Sequence, residues 1–498
     1  MGENSSFLSK ADAFKASANK AFSERHYINA EASYTSAVET LEAGDLEDDE
    51  IKKALAINLS NRSFTRLKLE EYGWAIEDAT RSININPSYV KAYYRRGSAK
   101  LSLGKNKEAL QDFRYVAKIH PNDKDARLKL KECEKIVKQE AFALAIQADE
   151  PKSILDTLDL EAMVVEDTYT GPRYPEDGVF TKGHVEELIE HLRNQKPVHK
   201  KYAFRLLIAA KKVFEAMENI VTLPVGSGSI ITVCGDTHGQ YYDLLNIFKL
   251  NGMPSSENPY LFNGDFVDRG SFSVEVILTL LALKIHDPNC MHLTRGNHES
   301  ESMNKIYGFE GEVKAKHGER LFKSFSELFR TMPLAYILDG TPVSGGKRAL
   351  VLHGGLFSRD GVMLEDLQKL DRFREPDTGL MAEMLWSDPR KENGWGTSKR
   401  GIGASFGPDV TKRFLDANNL ELVVRSHELK DEGYEIEADG RLITVFSAPN
   451  YCDQMGNSGA YIRFKSDMKP NISQFKAVPH PDVKPMAYVA NAGLMGLG

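Results

Sequence analysis

The stretch ITVCGDTHGQ, residues 231–240, is an apolar run that breaks off into Asp236 and His238 and turns at Gly239. Four more runs end the same way: Tyr260–Phe262 leads into GDFVDRG, Met291–Leu293 into TRGNHES, 349–352 into HGG and 421–424 into RSHE. With the first run counted from residue 229, all five are short, bounded by polar clusters, and rich in Val, Ile, Leu and aromatic residues. That pattern predicts buried strands. In open α/β sheets, ligands gather beyond the carboxyl ends of strands, where Asp236, His238, Asp265, Asn297, His353 and His427 fall. One such strand end would mean little; five make a site.

Ligand type decides the chemistry. Asp236 and His238 alternate as at a strand end, so both point to one site when the chain turns at Gly239. Oxygen and nitrogen donors without thiolate suit manganese, iron or zinc rather than calcium. Asp265, on the neighbouring element, is the natural bridging carboxylate between two ions about 3.5–4 Å apart. Such a pair lowers the pKa of a shared water, yields hydroxide at neutral pH and clamps a tetrahedral phosphorus. Hydrolysis of a phosphate ester is the expected reaction. None of the cysteines at 133, 234, 290 and 452 is followed by arginine at the sixth position, which excludes a cysteine-nucleophile phosphatase. A metal-dependent phosphodiesterase and an adaptor with a dead catalytic half are the competing readings. The adaptor would show eroded ligands, and all six are present.

At 498 residues the chain is too long for one core. Its net charge of -7 and pI near 6.1 disfavour nucleic acid or an anionic membrane as partner. Four scattered cysteines suggest a reducing compartment. With no secretory signal pattern and no run of about 18 apolar residues, the expectation is a cytoplasmic and nuclear protein, monomeric by default.

The amino-terminal part repeats. Alanines at 30, 75 and 109 recur in similar surroundings, the last two 34 residues apart, and Pro87 and Pro121 repeat that interval. This is the tetratricopeptide period, in which small residues sit where two antiparallel helices cross. The first interval is longer by 11 residues, and the acidic stretch 41–50 is the expected place for the excess, as an extended connection. Residues 122–147 are expected to form a covering helix, with Asn122 or Asp123 as N-cap and Leu128, Leu130, Ile136, Val137, Phe142 and Ile146 apolar. The inner helices line a concave groove and carry Lys15 and Asn19, then Asn61, then Lys91 and Arg95. Cations with amide donors there suit a peptide carboxylate. Between the array and the metal strands, two helices are expected within 183–218, broken near Pro197, and the α/β pattern starts at residue 229.

The stretches GDTHGQ, GDFVDRG, RGNHE, HGG and RSHE resemble those of the phosphoprotein phosphatases that act on serine and threonine, over nearly all of residues 175–478. The resemblance implies Asp236, His238 and Asp265 on one metal, and Asp265, Asn297, His353 and His427 on the other. It implies that Arg269 and Arg400 grip the phosphate oxygens, as a planar guanidinium fork can. Asn297 and Tyr451 would border the substrate pocket. His298 would protonate the departing seryl or threonyl oxygen, with Asp268 holding its other ring nitrogen. Arg295 is read as structural. The groove residues resemble the two-carboxylate clamp of chaperone-binding tetratricopeptide domains, which implies the carboxyl terminus of the ninety-kilodalton heat-shock chaperone as partner.

The fused architecture is similar to the tetratricopeptide-bearing branch of the family, to which GFEGEVKAK at 308 and VPHPDVKPMAY at 478 also belong. The expected fold is multidomain: an all-α tetratricopeptide array over 8–147, a linker over 148–178, an α/β metallophosphatase domain of two packed mixed β-sheets flanked by helices over 179–478, and a regulatory tail over 479–498. In that branch the repeats and a terminal helix restrain the active site until a peptide or lipid displaces them. Glu70 falls where the branch places a carboxylate facing the phosphate-binding arginine, and would mimic phosphate against Arg269. The tail sequence VANAGLMGLG, with three glycines, is less helical than that restraint needs.

Overall fold

A computed structural model describes residues 2–146, 153–175, 178–345 and 347–488. The chain falls into two compact units, residues 1–150 with 397–402 and residues 151–396 with 403–490.

The first unit is helical. It comprises α1 (Gly2–Ser23), α2 (Tyr27–Glu42), α3 (Asp49–Lys68), α4 (Tyr72–Ile85), α5 (Val90–Ser102), α6 (Asn106–Ile119) and α7 (Lys124–Ile146). The pairs α1–α2, α3–α4 and α5–α6 are the three repeats. Ala30, Ala75 and Ala109 are fully buried, as a close helix crossing requires. An ion pair repeats with the same period. Arg62 grips Asp78 through two bonds of 2.8 Å and Arg66 adds one of 2.9 Å. In the next repeat Arg96 grips Asp112 at 2.7 and 3.0 Å, and Lys100 stands 3.1 Å from it. Both carboxylates are buried. Losing one partner of such a pair costs about 3–5 kcal/mol, because the other charge is left buried and unpaired.

Two expectations for this unit are corrected. The acidic stretch is not an extended connection: α2 continues to Glu42, Asp48 caps α3 by accepting from the amides of Glu50 and Ile51, and the turn between has only six residues. The equivalent turn between α4 and α5 has four, so most of the excess is absorbed in a 20-residue α3, against 13 residues in α5. The covering helix α7, capped by Asp123 through the amides of Asp125 and Ala126, keeps part of the expected face. Leu130, Ile136 and Val137 pack against the last repeat as expected, with Ala126, Lys129 and Cys133 beside them, whereas Leu128 and Phe142 are exposed; the Ile146 side chain lies outside the described residues. The Lys129 stem is buried, with its ammonium near the rings of Tyr94 and Phe113. A cation on aromatic faces thus replaces one turn of the expected apolar stripe.

The second unit stacks two mixed sheets. Its labelled strands are β1 (Ile220–Pro224), β2 (Ile230–Cys234), β3 (Tyr260–Phe262), β4 (Met291–Leu293), β5 (Ala335–Asp339), β6 (Arg348–Leu352), β7 (Leu422–Arg425), β8 (Tyr434–Glu437), β9 (Leu442–Val445), β10 (Gly459–Lys465) and β11 (Pro470–Phe475). One sheet has the order β1-β5-β6-β7-β9-β8 and the other β11-β10-β2-β3-β4. A small third sheet joins Asp388–Pro389, Trp395–Gly396 and Ser405–Phe406. The parallel β2, β3 and β4 align Cys234, Phe262 and Leu293 in one row, and β6 and β7 are parallel too. Alternation sends Ile231, Val233, Leu261, Val351, Leu422 and Val424 into the core between the sheets. Cys234, Tyr260, Phe262 and Met291 face a second core made with α8 (Lys182–Arg193), α9 (Lys200–Glu215), α10 (Tyr241–Asn251) and α11 (Ser273–His286).

The α/β pattern starts earlier than expected, because Ile220–Pro224 pairs in parallel with β5. The alternation is hard to see there, since only Ile220 of its five residues is buried. The described part of the expected linker contains one short helix, Ile154–Thr157, and packs against the catalytic unit. Glu327 accepts from Ser153 Oγ at 2.7 Å and from the Ile154 amide at 2.8 Å, and Leu155 and Tyr174 join the helical core. The glycine-containing tail after Tyr488 lies outside the described residues.

Candidate metal centre and active site

The row Cys234–Phe262–Leu293 ends three parallel strands together, and the polar residues begin immediately beyond it. The ends of β6 and β7, on the other sheet, supply His353 and His427. Two groups of ligand atoms result, each within 4.8 Å: His238 with Asp265 and His298, and Asp265 with His353 and His427. Asp265 belongs to both. Asp236 adjoins both groups, its Oδ2 3.8 Å from His238 Nε2 and its Oδ1 3.9 Å from His353 Nδ1. That Oδ1 also accepts the His427 amide at 3.1 Å.

Hydrogen bonds to the far ring nitrogens fix which lone pairs face inward. His238 Nδ1 lies 3.0 Å from the Val267 carbonyl and His353 Nδ1 2.7 Å from the Asn263 carbonyl. Each Nδ1 therefore carries the proton, and each Nε2 is a bare lone pair. Asn297 Oδ1 is 2.8 Å from His353 Nε2, and the same corner of the amide is 2.9 Å from His427 Nδ1 and 3.1 Å from Asp265 Oδ2. An amide oxygen among lone pairs has no hydrogen to share. Turning the amide over would satisfy a dry site, whereas a cation satisfies the oxygen, the rings and the carboxylate together. The donor set fits divalent metal ions.

The electrostatics agree. Burial pushes Asp236 and Asp268 up to about 7 and Glu299 up to about 8, and drives His238 well below the usual imidazole range. Next to burial, the Asp265 charge is the main further upward cause for Glu299. Each of these buried groups is costly to charge alone, so a cation in their midst is the natural counter-charge.

The backbone is strained here. His238, Asp265, Asp268, Arg269 and His427 all have φ between +39° and +71°. Non-glycine residues seldom adopt that region, which aims side chains where a regular strand end cannot. Gly264 sits where a Cβ would lie 2.6 Å from Gly296 Cα and 2.8 Å from His353 Nδ1, so the two loops touch backbone to backbone. Glu299 holds them together. It accepts from the amides of Asp265 at 2.8 Å, Phe266 at 2.9 Å and Gly296 at 2.8 Å.

The remaining expected residues fall as follows. His298 Nδ1 is 2.8 Å from Asp268 Oδ2, which leaves Nε2 facing the ligand groups. Asp268 is steadied by Asn304 Nδ2 at 3.0 Å and the Phe309 amide at 2.9 Å. The Tyr451 ring lies 5.3 Å from that of His238. Arg269 stacks on Tyr307 with its guanidinium carbon 3.9 Å from the ring centre. Arg295 is fully buried and donates mainly to the carbonyls of Glu299, Arg372 and Arg374. Arg400 is buried and lies in the segment 397–402, which belongs to the first unit.

The descriptions of known families agree with this geometry. Residues 230–431 match the calcineurin-like phosphoesterase family, and residues 130–222 the PPP5 TPR repeat region. Human serine/threonine-protein phosphatase 5 is 50% identical over 493 residues, covering 98% of this chain and 95% of its own. The chain belongs to the serine/threonine-protein phosphatase 5 family. Serine/threonine-protein phosphatase T of Aspergillus oryzae is 49% identical, with 98% of both chains covered. A solved serine/threonine phosphatase of Saccharomyces cerevisiae with similarity to human PP5 is 44% identical, with a TM-score of 0.57 over 61% of this chain and 99% of its own. This chain is accordingly a serine/threonine protein phosphatase with a metallophosphatase domain, and its buried Asp and His groups are suited to hold the metal ions.

Sequence reasoning missed the supports. Glu299 and Arg425 lie inside the quoted motifs, and Asn263 and Asn304 just outside them. Arg425, fully buried, binds Asp388 at 2.9 Å and Glu428 at 2.6 Å, and so fixes the loop that carries His427. A charged residue inside a ligand motif but without a ligand role was the available signal. Glu299→Gln should leave one backbone amide without its acceptor. The expected result is a folded chain that binds manganese about 10–100-fold more weakly, read by metal titration of the stripped protein; unchanged affinity would show that Glu299 does not hold the Asp265 loop.

Proposed function

We propose that this phosphatase hydrolyses phosphoserine and phosphothreonine monoesters with His298 as general acid. One observation carries the reading: His298 is fixed by Asp268 at 2.8 Å on one ring nitrogen while the other faces the group built on Asp265. Asp236, His238 and Asp265 would hold one ion, and Asp265, Asn297, His353 and His427 the other. Manganese, iron or zinc bound there would supply Lewis-acid polarisation of the phosphate and an acidified water. Arg269 and Arg400 bind the phosphate oxygens, with Asn297 and Tyr451 beside them. The Arg269 guanidinium lies over the Tyr307 ring, which limits its rotation. Because Asp268 accepts the Nδ1 proton, His298 presents Nε2–H to the departing alkoxide and holds the imidazolium orientation needed to give it up. His298 also falls within the first ligand group, but its fixed tie to a buried carboxylate suits a proton donor that must stay put.

The repeat unit is proposed to bind the acidic carboxyl-terminal peptide of the ninety-kilodalton heat-shock chaperone. Arg95 bonds Asn61 Oδ1 at 2.9 Å and Ser60 at 2.8 Å, and lies over Phe64. Tyr34, whose hydroxyl bonds Asn19 at 2.5 Å, feels the Arg95 charge. Asn19, Asn61 and Arg95 are thus close together, and Lys15 and Lys91 stand one turn earlier on α1 and α5. Burial lowers the Arg95 pKa, so this half-buried guanidinium would be relieved by a carboxylate partner. Glu70, at φ 64° after α3, is proposed to restrain the active site against Arg269 until peptide or lipid binds. We also place the chain, as a monomer, in the cytoplasm and nucleus, without nucleic acid or stable membrane association. The net charge of -7 supports the lack of a polyanionic partner, and among the described residues no helix is long and apolar enough to cross a membrane.

Two experiments check these readings. His298→Asn should lower kcat on a phosphoserine peptide about 10²–10⁴-fold, but much less on an aryl phosphate, whose leaving group needs no proton; equal losses on both substrates would contradict the general-acid role. An acidic peptide with a free carboxyl terminus should raise the basal activity of the full-length chain, its amidated form should not, and Arg95→Ala should abolish the response while Glu70→Ala starts from raised activity. A response that survives Arg95→Ala, or basal turnover unchanged by Glu70→Ala, would refute the clamp or the restraint respectively.

A further inference from the structure

We propose that residues 478–488 form a strap that positions Arg269, acting through Ser271 and seated at Gly311. The inference rests on the reading of Arg269 as a phosphate ligand.

Asp268 and Arg269 are consecutive non-glycine residues in the left-handed region, at φ 71° and 68°. Two such residues in a row hold only where their surroundings over-determine them. On one side the Arg269 amide donates to the Tyr307 carbonyl at 3.0 Å. On the other side the strap closes the loop. The Met486 amide donates to the Arg269 carbonyl at 2.8 Å. Ser271 Oγ donates to the Lys484 carbonyl at 2.6 Å and accepts the Ala487 amide at 3.1 Å. One hydroxyl thus ties two strap residues to the loop, flanking the bond made by Arg269 itself.

The strap is anchored at both ends. At its start the Val478 amide donates to Asp243 at 2.9 Å, and His480 lies 3.0 Å from Asp453. Prolines at 479, 481 and 485 restrict its backbone, so little freedom is lost when it docks. At its end the Tyr488 carbonyl lies against Gly311, where a Cβ would stand 2.1 Å from the oxygen. The Tyr488 ring faces the Lys316 ammonium at 5.6 Å, and Lys316 is held by Glu275 at 2.7 Å and Glu312 at 2.8 Å. Glu312 in turn accepts from the amides of Ser273 and Val274, two and three residues beyond Ser271. The stretch GFEGEVKAK therefore supplies both the seat for VPHPDVKPMAY and the support for the loop that the strap binds. Met486 is buried, as a docked segment requires.

Gly311 lies in the helix Phe309–Lys316, which alanine suits, so Gly311→Ala should keep the helix and unseat the strap. Ser271→Ala removes the two bonds that its hydroxyl makes with Lys484 and Ala487. Full-length wild-type, Gly311→Ala, Ser271→Ala and Arg269→Ala chains would be compared by amide exchange over 478–488, by kcat and KM for a phosphoserine peptide, and by inhibition with inorganic phosphate. Arg269→Ala should raise KM and the phosphate inhibition constant. In the two strap variants, exchange over 478–488 should accelerate, and both constants should rise in parallel by about tenfold, with kcat changed less. Normal constants beside a released strap would overturn the inference, as would a strap that stays protected in both variants. Constants unmoved by Arg269→Ala would instead remove the reading of Arg269 beneath it.

Discussion

Asp265 is the residue on which the catalytic unit turns. Its carboxylate belongs to both ligand groups, and its backbone is held left-handed at φ 52°. That conformation persists because the neighbouring loop is Gly296, which lets the backbones touch, and because Glu299 accepts three amides from the two loops. Those bonds are made in a buried place where an unsatisfied amide costs about 1–3 kcal/mol. The sheets supply the frame. Three parallel strands ending in one row on one sheet, and two on the other, bring five loops to a common point that no single strand end could furnish.

The ligand-bearing loops carry a cluster of positive φ at His238, Asp265, Asp268, Arg269 and His427. For four of these the contacts that hold them come from a second circle of side chains: Glu299 for Asp265, Arg425 for the His427 loop, Asn304 for Asp268, and Ser271 with its strap for Arg269. These residues touch neither substrate nor ion in this account. Their work is to keep bare lone pairs and donors aimed inward, which is the difference between a set of suitable residues and a site.

The parts legible in the sequence were those with local periodicity or a dense motif. The five strand ends stand out because short apolar runs stop abruptly at Asp, His and Asn, and β3 and β4 have the expected bounds. The repeat array is legible through Ala75 and Ala109 at a 34-residue interval. The same interval separates Arg62 from Arg96 and Asp78 from Asp112, a signal of the buried ion pairs that a search for small residues alone passes over. Other features were not legible because they depend on distant partners. Ile220–Pro224 becomes a strand through its pairing with β5, the 11-residue excess is taken up mostly by a longer α3 rather than by the acidic stretch, and Lys129 occupies an inward position that an apolar rule assigns elsewhere. Backbone strain at His238 or Asp265 has no sequence mark at all, since neither is glycine.

Metal stoichiometry tests the shared carboxylate most directly. Native mass spectrometry of manganese-loaded full-length chains should find two ions in the wild type, one in Asp236→Asn, which leaves the group of Asp265, His353 and His427 intact, and fewer than one in Asp265→Asn. An Asp265→Asn chain that keeps one ion at wild-type affinity would contradict the account, because each group would then stand without the residue said to join them.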